Sequence, residues 1–347
     1  MKILYAVQAT GNGHISRAME LLPYLQHYGK VDIFLSGDNS NLALNAQVKY
    51  RSKGLSLYYN CHGGLDYWQI TKAFQLSRLK KEIKELPVEK YDLVINDFEY
   101  ITAAACAKKQ IPSVSFGHQA SFQSANCPRP EKSSIPGEWI LKNYAKASRY
   151  IGLHFKEYDN FIFTPVIKKE ILEIEPTDKK YVTVYLPSFC EQQLRNLLKP
   201  FTDFRFEVFC GEIKEPFYFR NIHFLPVDKT RFNKSLTHCT GIITGAGFET
   251  PAEALHLEKK LMCIPIKGQY EQICNAVALK EMGVTCLKKI GGDFEAQFNQ
   301  WIQSPKTVRV NYKNSINQCL EYLFSFDLNY QAKEMMNTPS GLLSFLL

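Results

Sequence analysis

His14 stands directly after the glycine-spaced turn Gly11-Asn12-Gly13, where a short apolar run gives way to helical periodicity. A histidine at a helix N-terminus meets a dipole that disfavours imidazolium, which keeps the ring free to accept a proton. A general base acting on a hydroxyl near neutral pH needs that state. Asp97 closes the apolar run Tyr91-Asp92-Leu93-Val94-Ile95-Asn96, at the end of a parallel strand where ligands bind. A carboxylate there can orient a histidine and stabilise its charged form. His14 and Asp97 are therefore the candidate catalytic pair. A histidine that only starts its helix is the open alternative.

A second set lies far downstream. The run Gly241–Thr244 leads into Gly245-Ala246-Gly247-Phe248-Glu249-Thr250-Pro251-Ala252-Glu253. Gly245, Ala246 and Gly247 let backbone N–H groups approach a phosphate, and a helix beginning near Phe248 or Thr250 adds its positive end. Glu253, in the first turn, can accept hydrogen bonds from two vicinal hydroxyls, as a ribose offers. Thr250-Pro251-Ala252-Glu253 also reads as a capping box with proline at the first helical position, which leaves open that Glu253 simply caps its own helix. A second apolar run, Leu261-Met262-Cys263-Ile264-Pro265, precedes Glu271-Gln272-Ile273-Cys274-Asn275-Ala276. Strand, glycine loop, helix, strand, loop and helix in that order make a nucleotide site at the carboxyl edge of a parallel sheet. Asn275 as an ordinary surface residue stays open.

The elements that must hold these loops are short. Lys2–Gln8, a helix from Ile15 to Tyr28 and Val31–Ser36 form a βαβ opening whose glycines fall short of the dinucleotide fingerprint. Asp38 is spaced somewhat like a dehydrogenase ribose acid, and that incomplete glycine pattern discounts it. Leu55–Asn60 reads as a third strand. Residues 66–86 form an amphipathic helix, apolar at Trp68, Phe74, Leu79 and Ile83, basic at Lys72, Arg78, Lys80, Lys81 and Lys84. Such a helix covers a sheet or lies on a membrane. Ile111–Phe116 leads to Gly117-His118-Gln119. Pro165 to Asp178 reads as a linker. A second strand series starts at Tyr181–Leu186 and ends in helices near 293–303 and 311–325, with a last one over 327–337.

The chain has 347 residues, enough for about two cores, with 45% hydrophobic and 22% charged residues, as in soluble globular proteins. No apolar run reaches the ~20 residues of a membrane span, and no signal peptide is read. Ten cysteines without a C-x-x-C pair, several in apolar runs (Cys106, Cys210, Cys263), suit buried thiols in a reducing cytoplasm. The net charge is +8; residues 1–165 hold 20 Lys/Arg against 14 Asp/Glu, and the rest 22 against 20. A basic first half fits an anionic partner such as a phospholipid surface or a lipid pyrophosphate, or is an ordinary solvated surface. No RNA-recognition signature or zinc-finger spacing is present, which argues against nucleic acid.

Ala-Gly followed by Glu253, a proline after the next strand, and Glu271-Gln272-x-x-Asn275-Ala276 together resemble the donor half of GT-B glycosyltransferases. The resemblance is strongest to the family of the bacterial lipid-linked N-acetylglucosaminyltransferase MurG. It implies an α/β chain of two Rossmann-like domains facing across a cleft, with a C-terminal helix crossing back. Residues 1–165 plus 326–347 would bind the acceptor, and 166–325 a nucleotide sugar, most simply UDP-linked. It further implies that Glu253 binds ribose, that Glu271 and Gln272 face the donor sugar, and that Ser188 is the remnant of a phosphate loop here lacking its glycines. Asn275 joins the donor set. Gly11, Asn12, Gly13, Glu99, His118 and Gln119 would lie on the acceptor side. Asp97-x-Glu99 also resembles the D-x-D metal motif of the other glycosyltransferase fold, which the distant nucleotide motifs argue against. The expectation is an inverting, metal-independent hexosyl- or N-acetylhexosaminyltransferase with no cofactor. Its acceptor is a hydroxyl, with a lipid-linked or cell-envelope glycan as one option. It would be cytoplasmic, with peripheral contact at an anionic inner membrane face as an option. A UDP-sugar 2-epimerase and a non-catalytic nucleotide-sugar-binding subunit are the rivals.

Overall fold

The computed structural model describes residues 1–9, 12–37, 46–54, 76–305 and 308–325. The first sheet contains β1 (Lys2–Gln8), β2 (Lys30–Ser36), β3 (Val48–Ser52), β4 (Leu93–Asp97), β5 (Val114–Gly117), β6 (Arg149–Leu153) and β7 (Ile162–Phe163). Its order is β3-β2-β1-β4-β5-β6-β7, and every pair is parallel. Side chains alternate along a strand, so β1 feeds two layers. Ile3, Tyr5 and Val7 pack with Ile15, Ala18, Leu21 and Leu25 of α1 (Asn12–Tyr28). Leu4 and Ala6 pack with α2 (Leu76–Glu85) and α3 (Tyr100–Lys109) through Leu79, Ile83, Ile101 and Ala105. A strand buried on both faces must read as a continuous apolar run, as β1 does. The order switches direction between β1 and β4, and the loops leaving those strands open a crevice there. A further helix, α4 (Ile135–Asn143), lies beyond β5.

A single turn, α5 (Lys169–Leu172), lies on the way to the second sheet. That sheet contains β8 (Tyr181–Tyr185), β9 (Arg205–Phe209), β10 (Phe217–Phe219), β11 (Ile222–Leu225), β12 (Gly241–Thr244), β13 (Lys260–Cys263) and β14 (Thr285–Cys286). Its order is β10-β11-β9-β8-β12-β13-β14, parallel except where β10 meets β11. Its helices are α6 (Glu191–Leu198), α7 (Lys229–His238), α8 (Glu249–His256), α9 (Tyr270–Glu281) and α10 (Phe294–Gln303).

Several expectations change. The third strand falls at Val48–Ser52, while 55–60 lies outside the described residues, as do Gly11, Asp38, the first part of the 66–86 helix and 326–347. Helices α3, α6 and α7 are not among the elements that the sequence pattern predicts. α6 buries only Leu194 and Leu198, too few for periodicity to register. The return to the first domain begins ahead of residue 326. Tyr312 donates its hydroxyl to the Phe155 carbonyl at 2.9 Å. In α11 (Ser315–Phe324), Tyr322 meets Phe163 and Phe324 stacks on Tyr28 at 3.7 Å. Cys106, Cys210 and Cys263 are buried free thiols. Among the described residues no helix is long and apolar enough to cross a membrane.

Candidate active site in the interdomain cleft

His14 lies in the first turn of α1, at the carboxyl edge of β1, and Asp97 ends the neighbouring β4. The strand order brings them together across 83 residues: His14 Nδ1 is 2.8 Å from Asp97 Oδ1. We assign the Nδ1–H tautomer, because a lone pair facing a carboxylate at that distance would be repelled. Nε2 is then the nitrogen left for a substrate. Burial works to raise the Asp97 carboxyl, but Arg17 and then His14 outweigh it and hold Asp97 below the usual range.

Arg17 was missed from sequence, and it organises the site. It lies one helical turn beyond His14, a spacing that places both on one face. Its Nη2 and Nε donate to Asp97 Oδ1 at 2.7 Å and Oδ2 at 3.1 Å. Its Nη1 donates to Glu249 Oε1 in the other domain. The signal in the sequence was a lone arginine interrupting the apolar face of α1. Gly117 ends β5 against this cluster. A Cβ there would sit 2.7 Å from Asp97 Oδ1, so only glycine leaves the room.

Asp97 and Glu99 part company because Phe98 between them has φ 54°, in the left-handed region. The Asn96 amide braces the turn, accepting from Glu99 N at 2.8 Å and donating to its carbonyl at 2.7 Å. Glu99 turns inward and caps α3, accepting from Ile101 N and Thr102 N. Its placement on the acceptor side is therefore corrected: it is a fully buried helix cap, and burial raises its carboxyl despite those two N–H groups.

The glycine loop stands between a strand and a helix. Gly245 to Gly247 leave the carboxyl end of β12, and α8 starts at Glu249 without a side chain capping its N–H groups. Space beside Gly247 is open for at least 4 Å. First-turn N–H groups without a side-chain cap and an open glycine face suit an anion. The capping-box alternative fails, since the helix begins before Thr250. Glu253 is 2% exposed and pairs with Lys168 Nζ at 2.9 Å. Burial alone would pull Lys168 down, but that carboxylate holds it above its ordinary value. A ribose reaching Glu253 has to share it with Lys168, which the sequence did not signal.

The remaining donor candidates bond to protein. Asn275 is fully buried, neither a surface residue nor open to the cleft. It donates to the Ala246 carbonyl at 3.1 Å, and its Oδ1 lies 2.8 Å from His118 Nε2. Gln272 accepts from Ile266 N at 3.0 Å and lines Gly245. Glu271 accepts from Gln119 Nε2 at 3.0 Å, across the cleft. His118 stacks on Phe248 at 4.0 Å and binds the Leu153 carbonyl through Nδ1 at 2.8 Å. Burial pulls its ring below the ordinary value, with Glu271 opposing. His118 and Gln119 thus join the domains. Gly13 packs against Glu249, Asn12 opens α1, and Ser188 sits half-buried in the turn after β8.

The chain matches the family model described as glycosyl transferase family 1 over residues 1–298. No curated protein matches it. Among solved structures it is similar to Arabidopsis thaliana UGT89C1 complexed with quercetin, at 13% identity over 96% of this chain and 99% of that one, TM-score 0.58. It is also similar to Phytolacca americana UGT2 complexed with UDP-2fluoro-glucose and pterostilbene, at 14% identity over 99% and 98%, TM-score 0.54. A third, glycosyltransferase VinC in complex with DTDP, shares 12% identity over 96% and 100%, TM-score 0.52. Identities this low speak to the fold, and the family rests on the model match. Two parallel-sheet domains closing on a His–Asp pair and an uncapped glycine loop thus belong to a GT-B glycosyltransferase, and the chain is a member of glycosyl transferase family 1.

Proposed function

We propose that the protein transfers a hexose or N-acetylhexosamine from a UDP-linked donor to an acceptor hydroxyl, with inversion and without a metal. The observation that carries the proposal is the His14–Asp97 contact at 2.8 Å, on the cleft wall that faces the N-terminus of α8. His14 Nε2 takes the acceptor O–H proton while Asp97 stabilises the charge that develops. The acceptor oxygen bonds to the anomeric carbon as the bond to the diphosphate breaks, its electron pair leaving with the phosphate oxygen. N–H groups of the Gly245–Gly247 loop and the start of α8 then stabilise the leaving diphosphate. Glu253 holds the ribose together with Lys168. UDP complexes of a structural neighbour support the nucleotide, although a DTDP complex of another keeps the base as a point to test. A lipid-linked acceptor is supported by α4, which exposes Ile135 (83%), Trp139 and Ile140 beside Lys142.

The test is a panel of UDP- and dTDP-sugars with and without hydroxyl acceptors, on wild type, His14→Ala and Glu253→Ala. Transfer from one donor, lost in His14→Ala, is expected. In Glu253→Ala donor binding should weaken by about 10- to 100-fold, the worth of a charged hydrogen bond of ~1.5–3 kcal/mol. An altered sugar formed from donor alone would instead mean epimerisation. Donor binding with no turnover would mean a binding subunit.

A further inference from the structure

Arg17 is a buried cation wedged between acids of two domains. Its Nε and Nη2 hold Asp97, its Nη1 holds Glu249, and its Nη2 lies 3.0 Å from His14 Nδ1. Within the first domain alone the charges cancel: Asp97 is negative, Arg17 positive. A His14 ring accepting a proton there would gain its charge beside a like charge, in a cluster with no net negative partner. Glu249 supplies the missing negative charge, and it comes from the other domain as the first residue of α8. Its Cγ lies 3.0 Å from where a Cβ on Gly13 would be, so the glycine before His14 is what lets it approach so closely.

We propose that Glu249 is a positioning residue that makes His14 a competent base: docking of the donor domain brings its carboxylate to Arg17, so that Arg17 no longer cancels Asp97. This inference rests on the transferase reading above. Proton transfer to His14 would then be coupled to the domain arrangement that also holds the donor loop in place. The other groups facing the cluster leave the charge count unchanged. Tyr5 lies beneath it and stays neutral, its hydroxyl raised first by burial. Glu253 and Lys168 pair with each other at 2.9 Å. His118, beyond Arg17, has its ring pulled below the ordinary value chiefly by burial, and faces Glu271 at 3.8 Å rather than the cluster. Glu249 itself is pushed up to about 7, mostly by burial and against the pull of Arg17. Its charge therefore arrives as the pH rises through neutrality, where a general base works best.

The experiment compares full-length wild type, Glu249→Gln and Glu249→Asp in kcat against pH. Glutamine keeps the shape and a carbonyl for Arg17 but removes the charge. The acid limb of the profile should move down by a few tenths of a pH unit in Glu249→Gln, because Glu249 is itself only partly ionised in that range. Its plateau kcat should fall about 5-fold, as a weaker base predicts, with donor KM within about 2-fold. Glu249→Asp should keep the limb near wild type. An unmoved limb in Glu249→Gln, or an equal shift in Glu249→Asp, overturns the proposal, because Glu249 would then only join the domains. The His14 ring signals followed by NMR against pH give the same answer without turnover, with a lower midpoint expected in Glu249→Gln. If wild type transfers no sugar at all, the transferase reading fails, and the ring titration still decides the charge coupling.

Discussion

The carboxyl edges of the two sheets are built in opposite ways. At the first, side chains make the surface: His14, Arg17 and Asp97 interlock within about 3 Å of one another, under a roof that Gly117 keeps clear. At the second, the surface is backbone, a glycine loop and an uncapped helix start with open space beside Gly247. Of the polar side chains around that loop, Asn275 donates to its Ala246 carbonyl and holds it in shape, while Gln272 accepts from Ile266 N in the neighbouring loop. Side-chain chemistry needs a supporting shell and fails when one member is lost. Backbone chemistry tolerates substitution wherever a side chain has room. Glu249 crosses between the two, starting the donor helix and ending on Arg17.

The largest effect is expected at Arg17. Arg17→Met removes the cation between buried Asp97, left with His14 alone, and half-buried Glu249, and should cost about 3 kcal/mol of stability, read as a lowered melting temperature and urea midpoint. His14→Ala should lower kcat by about 100-fold or more while donor affinity, read by calorimetry, stays near wild type. An equal loss of donor affinity would mean that the two edges are not separate in function.

A pair of alanines sharpens the contrast. Gly117→Ala must displace Asp97, met at 2.7 Å, and should cost about 1–3 kcal/mol of stability as well as activity. Gly247→Ala meets nothing within 4 Å and should leave the melting temperature within about 1 °C. Its effect, if the loop holds the diphosphate, is confined to donor binding.

The smallest effect separates the two acids on either side of Arg17. Glu249 is raised from 4.5 to about 7, so its contribution to stability is whole below pH 4.5 and is lost as the pH rises through about 7. Asp97 is lowered, so its contribution is present above its ordinary value of 3.8 and is lost as acid protonates it. Wild type should therefore lose about 2 kcal/mol relative to Glu249→Gln between pH 5 and pH 8, read from paired thermal melts. Parallel melts across that range would remove Glu249 from the account.

Much of this was legible in the chain. β1 and β12 are buried on both faces, and such strands must be apolar runs, so their ends and the loops after them could be placed. His14, Asp97 and the Gly245–Gly247 loop followed from standing at those ends. The short polar helices α6 and α7 were not legible, because each buries too few apolar residues to set a period.

Partners were the larger gap. Asp97 and Glu99 look alike in sequence, and a left-handed Phe98 sends one to His14 and the other into a helix cap. Asn275 bonds to His118 across 157 residues, and Glu249 to Arg17 across 232. Periodicity and capping are local, so the sequence alone determined where the doubly buried strands lie and which loops leave their carboxyl ends, though not the helices α3, α6 and α7. Only the packing of one sheet edge against the other decided which side chains meet there, because that pairing depends on shape and charge over distances that no local pattern encodes.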